Sequence, residues 1–180
     1  MNTIFFKESI FLFFILNFLT AEYSTERKIG DVLQLGLPAT AILTTYCMED
    51  FDGFKSFMKS YVVTISTTAV LKVITHKERP DKSDYMSFPS GHTSSAFSGP
   101  SFIHFRYGLK YATPMYLLAA FTGYSRIESE KHYLEDVIAG ASLAIFSSWY
   151  FTSKYDKKYS FHLDYNRKSK MITLDFYKLF

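Results

Sequence analysis

At 180 residues the chain has room for one domain with a hydrophobic core and is too short for two domains of ordinary size. Hydrophobic residues make up 48% of it and aromatic residues 19%, which excludes a disordered chain and indicates a densely packed, helical or membrane-associated one. The net charge of +3 gives little reason to expect a nucleic acid partner, and the single cysteine excludes an internal disulfide and a cysteine zinc cage.

The N-terminus predicts an export segment. Lys7 and Glu8 precede an apolar run, Ser9–Ala21, of the length expected for a secretory h-region. We therefore expect residues 1–21 to be a signal peptide or an N-terminal membrane anchor. A buried N-terminal helix is the alternative, and cleavage of the leader stays open.

Membrane association is also expected for the body of the chain, although its charge-free apolar runs are short. None reaches the ~20 residues of a comfortable spanning helix, and the runs contain polar side chains. Short helices can still lie in a bilayer when their polar faces pack against each other. A soluble periplasmic bundle is the competing interpretation.

Five helices are predicted for residues 22–155, which gives an all-α bundle. The predicted helices are Asp31–Met48, about Phe54 towards Glu78, His92–Phe105, Thr113–Tyr124 and Lys131–Phe151. The second should stop before Pro80, because the residue preceding a proline is pushed out of the α region. Pro114 is expected near the first turn of the fourth helix, and Asp81–Phe88 should be a surface loop.

The tail, residues 156–180, changes character. Polar and apolar residues alternate with period two on either side of the polar segment Asn166–Lys170. This pattern indicates a β-hairpin appended to the helical body. A disordered basic tail is the alternative.

The first chemical cluster runs from Lys72 to Pro80. Lys72 and Arg79 are seven residues apart, close to two helical turns, so both are expected to project from one helix face towards a single anion. Arg79 offers a planar fork to two phosphate oxygens, and Lys72 acts as a mobile point charge. Taken alone, such a pair is usually a solvated helix face.

The second cluster is Pro89-Ser90-Gly91-His92. Ser90 can cap the following helix, and Gly91 lets the backbone approach a ligand closely. Amide groups at the start of that helix would point at an oxyanion, with His92 in the first turn facing it. An ordinary capped helix with a surface histidine explains an isolated match equally well.

The third cluster is Ser125-Arg126 followed by His132 and Asp136. Arg126 would supply a further cation to the same pocket. His132 and Asp136 are i and i+4, which predicts one face of the fifth helix. Asp136 can accept a hydrogen bond from one imidazole nitrogen and leave the other as a nucleophile, although such a pair is often only a helix contact.

Taken together, the ordered set Lys-x6-Arg-Pro, Pro-Ser-Gly-His and Ser-Arg-x5-His-x3-Asp resembles the signature of the type 2 phosphatidic acid phosphatase superfamily, also called the PAP2/haloperoxidase family. It does so without departure at any signature residue between Lys72 and Asp136. The resemblance implies a helical bundle and a phosphatase that needs no metal and no other cofactor.

The resemblance also implies roles for individual residues. His132 would attack phosphorus and form a phosphohistidine, His92 would protonate the leaving oxygen, and Asp136 would orient His132. The phosphoryl oxygens would be bound by Lys72, Arg79, Ser90, Gly91 and Arg126. Phosphoryl transfer mainly needs positioning and charge neutralisation, which three cations can supply. His76, His104 and His162 lie outside the motifs and are interpreted as packing or surface residues.

The implied substrate is a phosphate monoester or a pyrophosphate, soluble or carried on a lipid, and the expected location is the inner membrane with the site facing the periplasm, or the periplasm itself. One alternative is an enzyme like the vanadium-dependent haloperoxidases, which share the pocket but are usually much larger. Another is a non-catalytic membrane protein that binds an anion. Binding alone, however, would not need the carboxylate of Asp136. The oligomeric state is left open.

Overall fold

Five α-helices make up the body of the computed structural model, which describes residues 26–155, 159–166 and 171–178. The helices are α1 Glu26–Cys47, α2 Phe51–Thr75, α3 Gly91–Tyr107, α4 Leu109–Glu128 and α5 Leu134–Phe151. The predicted all-α bundle is confirmed. The predicted leader, residues 1–21, lies outside the described residues.

Helix α3 lies at the centre of the bundle and packs against each of the other four helices. Short connections alternate the direction of the helices: three residues join α1 to α2, and Gly108 alone joins α3 to α4. Gly108 has φ 114°, a conformation that side chains with a Cβ rarely adopt. As a result the starts of α1, α3 and α5 and the ends of α2 and α4 lie at one end of the bundle.

The core is built from small and large apolar side chains on crossing helices. Its buried members are Leu37, Ala41, Phe57, Ala96, Phe102, Ile103, Ala112, Met115 and Ala119. Helix α3 adds buried serines, and these are hydrogen-bonded: Ser98 Oγ donates to the Ser94 carbonyl at 2.8 Å, and Ser95 Oγ donates to the Gln34 carbonyl at 2.6 Å. Small residues of this kind let helix backbones approach closely.

Gly99 marks the closest approach between α3 and α1. A Cβ added there would lie 2.2 Å from the Leu37 carbonyl oxygen, a backbone atom that has no side-chain freedom to move away. We therefore expect Gly99→Ala to destabilise the protein by about 1–3 kcal/mol through overpacking. Thermal unfolding in detergent measures the effect. Gly36→Ala is the matched control, because a Cβ at Gly36 meets nothing within 4 Å, and an equal loss of stability in both variants would contradict the explanation.

A buried ion pair ties the opposite end of the bundle together. Asp50, in the turn between α1 and α2, accepts hydrogen bonds from Arg106 Nε at 2.7 Å and Arg106 Nη2 at 2.6 Å. Tyr107 donates to the same carboxylate at 2.7 Å, and Arg106 Nη1 donates to the Ser153 carbonyl at 2.8 Å. This network connects the first turn to the end of α3 and to the segment that follows α5.

Several predicted helix boundaries differ from the structure. Helix α1 begins at Glu26 and not at Asp31, α4 ends at Glu128 and not at Tyr124, and α5 begins at Leu134 and not at Lys131. Helix α2 ends at Thr75 and does not continue towards Glu78, because His76 takes a left-handed conformation (φ 43°) whose N–H bonds back to the Lys72 carbonyl. Helix α4 begins at Leu109, four residues before the predicted start, so Pro114 lies beyond its first turn. The predicted loop Asp81–Phe88 is free of helix and strand, as expected.

Beyond the helices, Tyr159–Asn166 (β1) and Met171–Lys178 (β2) pair as an antiparallel hairpin with Leu163 opposite Leu174. Among the described residues one helix, α2, is long and apolar enough to cross a membrane. Its best window has a mean hydropathy of 1.3, and only 22% of that window is buried inside the protein.

Candidate active site

A cavity of about 240 Å³ opens at the end of the bundle where α1 and α3 begin and α2 and α4 end. Its lining residues are Arg27, Asp31, Arg79, His92, Arg126, Lys131 and His132. Four of the sequence-predicted site residues, drawn from all three clusters, therefore face one space. The lining holds four cations against one carboxylate, which favours an anionic ligand.

The start of α3 brings the second cluster to the cavity. Ser90 is fully buried and caps the helix, as predicted, by accepting a hydrogen bond from the Thr93 amide at 3.4 Å. Its own amide donates to the Asp136 carbonyl at 2.9 Å, which ties α3 to α5. A Cβ at Gly91 would make only ordinary contact with Lys72 Cε at 3.6 Å, so packing within the protein does not require glycine there. His92 follows in the first turn and lines the cavity.

Helix α1 contributes a carboxylate, Asp31, to one side of the cavity. Asp31 Oδ1 lies 2.7 Å from Arg126 Nη1 and 3.0 Å from His92 Nε2, and the side chain of Arg126 is almost fully buried. Gly30 permits this approach, because a Cβ there would lie 2.2 Å from Ser125 Oγ. Sequence reasoning missed Asp31, and no motif in the sequence marks it.

Lys72 and Arg79 of the first cluster are positioned differently from the prediction, because only Lys72 lies on α2. Arg79 lies in the loop after α2, so the prediction that Lys72 and Arg79 share one helix face is wrong. Arg79 Nε donates to Asp84 at 2.7 Å and its side chain lines the cavity, whereas Lys72 Nζ donates to the Met86 carbonyl at 2.5 Å and lies against Gly91.

Lys131 is a further cation of the lining that sequence reasoning missed. It forms an ion pair with Asp81 of the preceding loop, and the contact holds the pKa of the Asp81 carboxyl below its usual range. The Asp81 amide also bonds to the Glu130 carbonyl at 3.1 Å. The loop is thereby attached to the segment that carries His132.

His132 lies in the short segment between α4 and α5. The prediction that it shares a face of the fifth helix with Asp136 is wrong, because α5 begins at Leu134 with Tyr133 as its N-cap. The His132 amide bonds to the Arg126 carbonyl at 3.2 Å, and its side chain is almost fully buried. Burial lowers the pKa of His132 to about 4, and the charges of Lys72 and Arg79 act in the same direction. The site therefore holds a neutral imidazole at the wall of a cationic cavity.

Asp136 lies behind His132, fully buried, in the first turn of α5. Its Oδ2 is 3.8 Å from His132 Nδ1, longer than a hydrogen bond, and Nδ1 has no hydrogen-bond partner among the described residues. The carboxylate instead accepts from the Tyr133 amide at 2.9 Å, Ser87 Oγ at 2.5 Å and Lys77 Nζ at 2.7 Å. Sequence reasoning missed Ser87 and Lys77, although both stand within or beside the signature clusters.

Two of the remaining histidines have contacts outside the cavity. His76 stacks on Tyr85 with ring centroids 4.8 Å apart, and His104 Nδ1 lies 3.3 Å from the Tyr116 hydroxyl. His162 falls on β1. The two described side chains fit the predicted packing or surface roles.

We compared the chain with a family model, with characterised relatives and with solved structures. The model of the PAP2 superfamily matches residues 53–160. A lipid A 4′-phosphatase from Helicobacter pylori is 32% identical over 142 residues, which cover 73% of this chain and 71% of the relative. A lipid A 1-phosphatase from Porphyromonas gingivalis is 41% identical over 70 residues, which cover 37% of this chain and only 16% of that relative.

A solved structure, LpxE from Aquifex aeolicus, superimposes with a TM-score of 0.52. The match covers 68% of this chain and 89% of that one at 21% sequence identity. Similarity at this level shows that the two proteins share a fold.

Proposed function

The chain belongs to the PAP2 superfamily and is a phosphatase, and on that basis we propose that it removes a phosphate from lipid A or a closely related phosphorylated lipid. Of the two positions named by its relatives, we propose the 4′-phosphate. The similarity to the 4′-phosphatase runs along most of both chains, whereas the similarity to the 1-phosphatase covers a small part of that protein.

The observation that carries the proposal is the convergence of Arg79, His92, Arg126 and His132 on one cavity. A buried neutral imidazole suits a nucleophile, since the attacking nitrogen must keep its lone pair free. Two arginines suit the equatorial oxygens of a phosphoryl group in transfer. The same cavity therefore offers a nucleophile, a second imidazole and positive charge.

In the proposed reaction the substrate phosphate replaces Asp31 on Arg126 and His92. His132 attacks phosphorus, the bond from phosphorus to the ester oxygen breaks, and protonated His92 gives its proton to the departing oxygen. Water then attacks the phosphohistidine, His92 takes a proton from that water, and inorganic phosphate leaves His132 free again. Each histidine ends the cycle in its starting protonation state.

The cations perform the task that a metal performs in many other phosphatases. Arg79, Arg126 and Lys72 would neutralise the oxygens of the transition state, which is the main electrostatic demand of phosphoryl transfer. We therefore propose that turnover is independent of metal. Activity should survive excess chelator, and vanadate should inhibit by mimicking the pentacoordinate transition state.

The substrate assignment is tested by phosphate release from purified protein in detergent. Lipid A carrying both phosphates, phosphatidic acid and a soluble aryl phosphate are compared without added metal, and mass spectrometry locates the phosphate that is lost from lipid A. The proposal expects loss of the 4′-phosphate and much slower turnover of the soluble ester. Turnover of the soluble ester alone would contradict it.

The outer surface of the bundle supports a membrane location. Helix α2 spans about 37 Å at 1.5 Å per residue, enough to cross a hydrocarbon core of about 30 Å. Apolar side chains such as Val73 and Ile74 are exposed close to the site. The helix ends away from the site carry exposed aromatic residues, Tyr46, Phe51, Trp149 and Tyr150. Aromatic side chains favour membrane–water interfaces. We propose that the bundle lies in the inner membrane with its site at the periplasmic surface.

Thiol labelling tests this orientation, because Cys47 is exposed at the end of α1 away from the site. Ser83 lies exposed in the loop at the site end. In intact spheroplasts we expect a membrane-impermeant maleimide to label Ser83→Cys in a Cys47→Ser background and to leave Cys47 of the native chain unlabelled. Labelling of Cys47 but not of the engineered cysteine would reverse the orientation.

The acid limb of the pH–rate profile follows from the state of His132. Attack needs the neutral imidazole, which in the free enzyme is present above about pH 4 and is lost as the pH falls through that value. We therefore expect kcat/KM, corrected for ionisation of the substrate phosphate, to decline only near pH 4. A decline near 6.5, the value of an ordinary histidine, would show that His132 is not held neutral by its surroundings.

A further inference from the structure

The side chain of Lys77 makes a contact with Asp136 that the signature residues do not account for. Its Nζ lies 2.7 Å from Asp136 Oδ1 and 2.7 Å from Glu135 Oε1. The Asp136 side chain is fully buried, whereas that of Glu135 is 64% exposed. Water therefore screens the ion pair of Lys77 with Asp136 less than the ion pair of Lys77 with Glu135, which lies at the surface.

The surroundings hold Lys77 in this position. Its ammonium group lies 4.4 Å from the centre of the Tyr133 ring, and its carbonyl accepts the Ser87 amide at 3.0 Å. Ser87 in turn donates its hydroxyl to Asp136 Oδ2. With the Tyr133 amide, three donors from two segments fix the plane of the Asp136 carboxylate, and each of its oxygens has a partner.

The charge of Lys77 matters because of what faces His132. The charged groups that shift the pKa of His132 most are the cations Lys72 and Arg79 and the carboxylate of Asp136. The same cavity is also lined by Arg27, Asp31, His92, Arg126 and Lys131. The Asp136 carboxylate favours a protonated His132, which cannot attack phosphorus. Burial opposes the charge of Lys77, but its hydrogen bonds to Asp136 and Glu135 outweigh burial and raise its pKa, so Lys77 stays charged beside the carboxylate.

We propose that Lys77 is a positioning residue for the nucleophile: it fixes the Asp136 carboxylate behind His132 and offsets the carboxylate's charge. The proposal rests on the proposed phosphatase function. Lys77 is not one of the residues that line the cavity and, in the proposed reaction, does not bind the phosphate, so it acts through Asp136. Loss of Lys77 should therefore change the rate and its pH dependence more than it changes substrate binding.

The test compares Lys77→Met, Lys77→Arg and the matched control Glu135→Gln, which removes the charge of the other partner of Lys77 and leaves the Asp136 side chain unchanged. For Lys77→Met we expect kcat to fall roughly 10- to 100-fold with little change in KM, as misplacement of a catalytic group does. The acid limb of kcat/KM should move to higher pH, because the unshielded carboxylate favours protonated His132. Lys77→Arg should recover most of the rate, and Glu135→Gln should behave like the parent protein.

A measurement that needs no turnover separates this inference from the phosphatase assignment, and a double variant tests whether Lys77 acts through Asp136. Nuclear magnetic resonance of the histidine rings follows the titration of His132 without turnover, and Lys77→Met should raise the pH of its midpoint. Lys77→Gln, which keeps a hydrogen-bond donor but lacks the charge, should raise it as well and serves if the methionine variant does not fold. In an Asp136→Asn background, Lys77→Met should cost little more rate, since the two residues act as a unit.

A parent protein without phosphatase activity would overturn the proposed function. The role of Lys77 could then still be tested by the titration of His132, which needs no turnover. An active parent protein whose lysine variants keep the parental kcat and His132 midpoint would overturn the role of Lys77 alone.

Discussion

Replacing His132 by alanine is expected to abolish phosphate release, with a loss of roughly 10⁴-fold or more. Among the described residues, no other histidine both lines the cavity with Arg79 and Arg126 and has a side chain that is almost fully buried. His92 also lines the cavity, but it is needed as the acid. Phosphate release from the lipid substrate measures the loss. Binding of inorganic phosphate should persist, since Arg79 and Arg126, which would hold its oxygens, remain.

His104→Gln is the control for this experiment, because His104 contacts Tyr116 away from the cavity. It should retain the parental rate. Substantial turnover by a folded His132→Ala variant would remove His132 as the nucleophile.

The second large effect is expected from Asp136→Asn, which should lower kcat by about 10²- to 10⁴-fold. The variant keeps the shape of the side chain but loses the negative charge 3.8 Å from His132 Nδ1. It also places an amide group among donors, since Lys77, Ser87 and the Tyr133 amide all point at the carboxylate. The carboxylate that would stabilise the positive charge developing on His132 during attack is then lost, while phosphate binding through the cations should survive.

Asp136 also caps the start of α5, so the rate must be read together with stability. The unfolding temperature and vanadate affinity of Asp136→Asn are therefore measured beside its kcat. A variant that loses stability but keeps its rate would show that Asp136 is a helix cap and not a partner of the nucleophile.

The fold class could be predicted because it depends on local sequence, and the candidate site residues were predicted from three short motifs that resemble a family signature. Apolar segments separated by turn residues gave five helices, and Ser90 capped α3 as its residue type predicts. Spacing alone was a weaker guide. Lys72 and Arg79 were placed on one face by a count of seven residues, but His76 ends α2 between them in a left-handed conformation that a histidine adopts rarely.

The same limit applies to His132 and Asp136. Their spacing of four residues fits one face of a helix, but only Asp136 lies in a helix. The helix α5 begins after its N-cap Tyr133, so His132 lies in the segment before it. Asp31 and Lys77 could not be predicted as site residues for another reason. Each acts through a contact with a residue 59 to 95 positions away in the chain, and a single sequence carries no record of such contacts.

The most direct test of the central claim is to trap the covalent intermediate. The protein is mixed with lipid A labelled with radioactive phosphate, quenched in base within one turnover, digested and sequenced by mass spectrometry. The account predicts phosphate on a ring nitrogen of His132, stable in base and labile in acid, and absent from His132→Ala. Release of labelled inorganic phosphate by the parent protein with no labelled enzyme at any quench time, or with label on another residue, would contradict it.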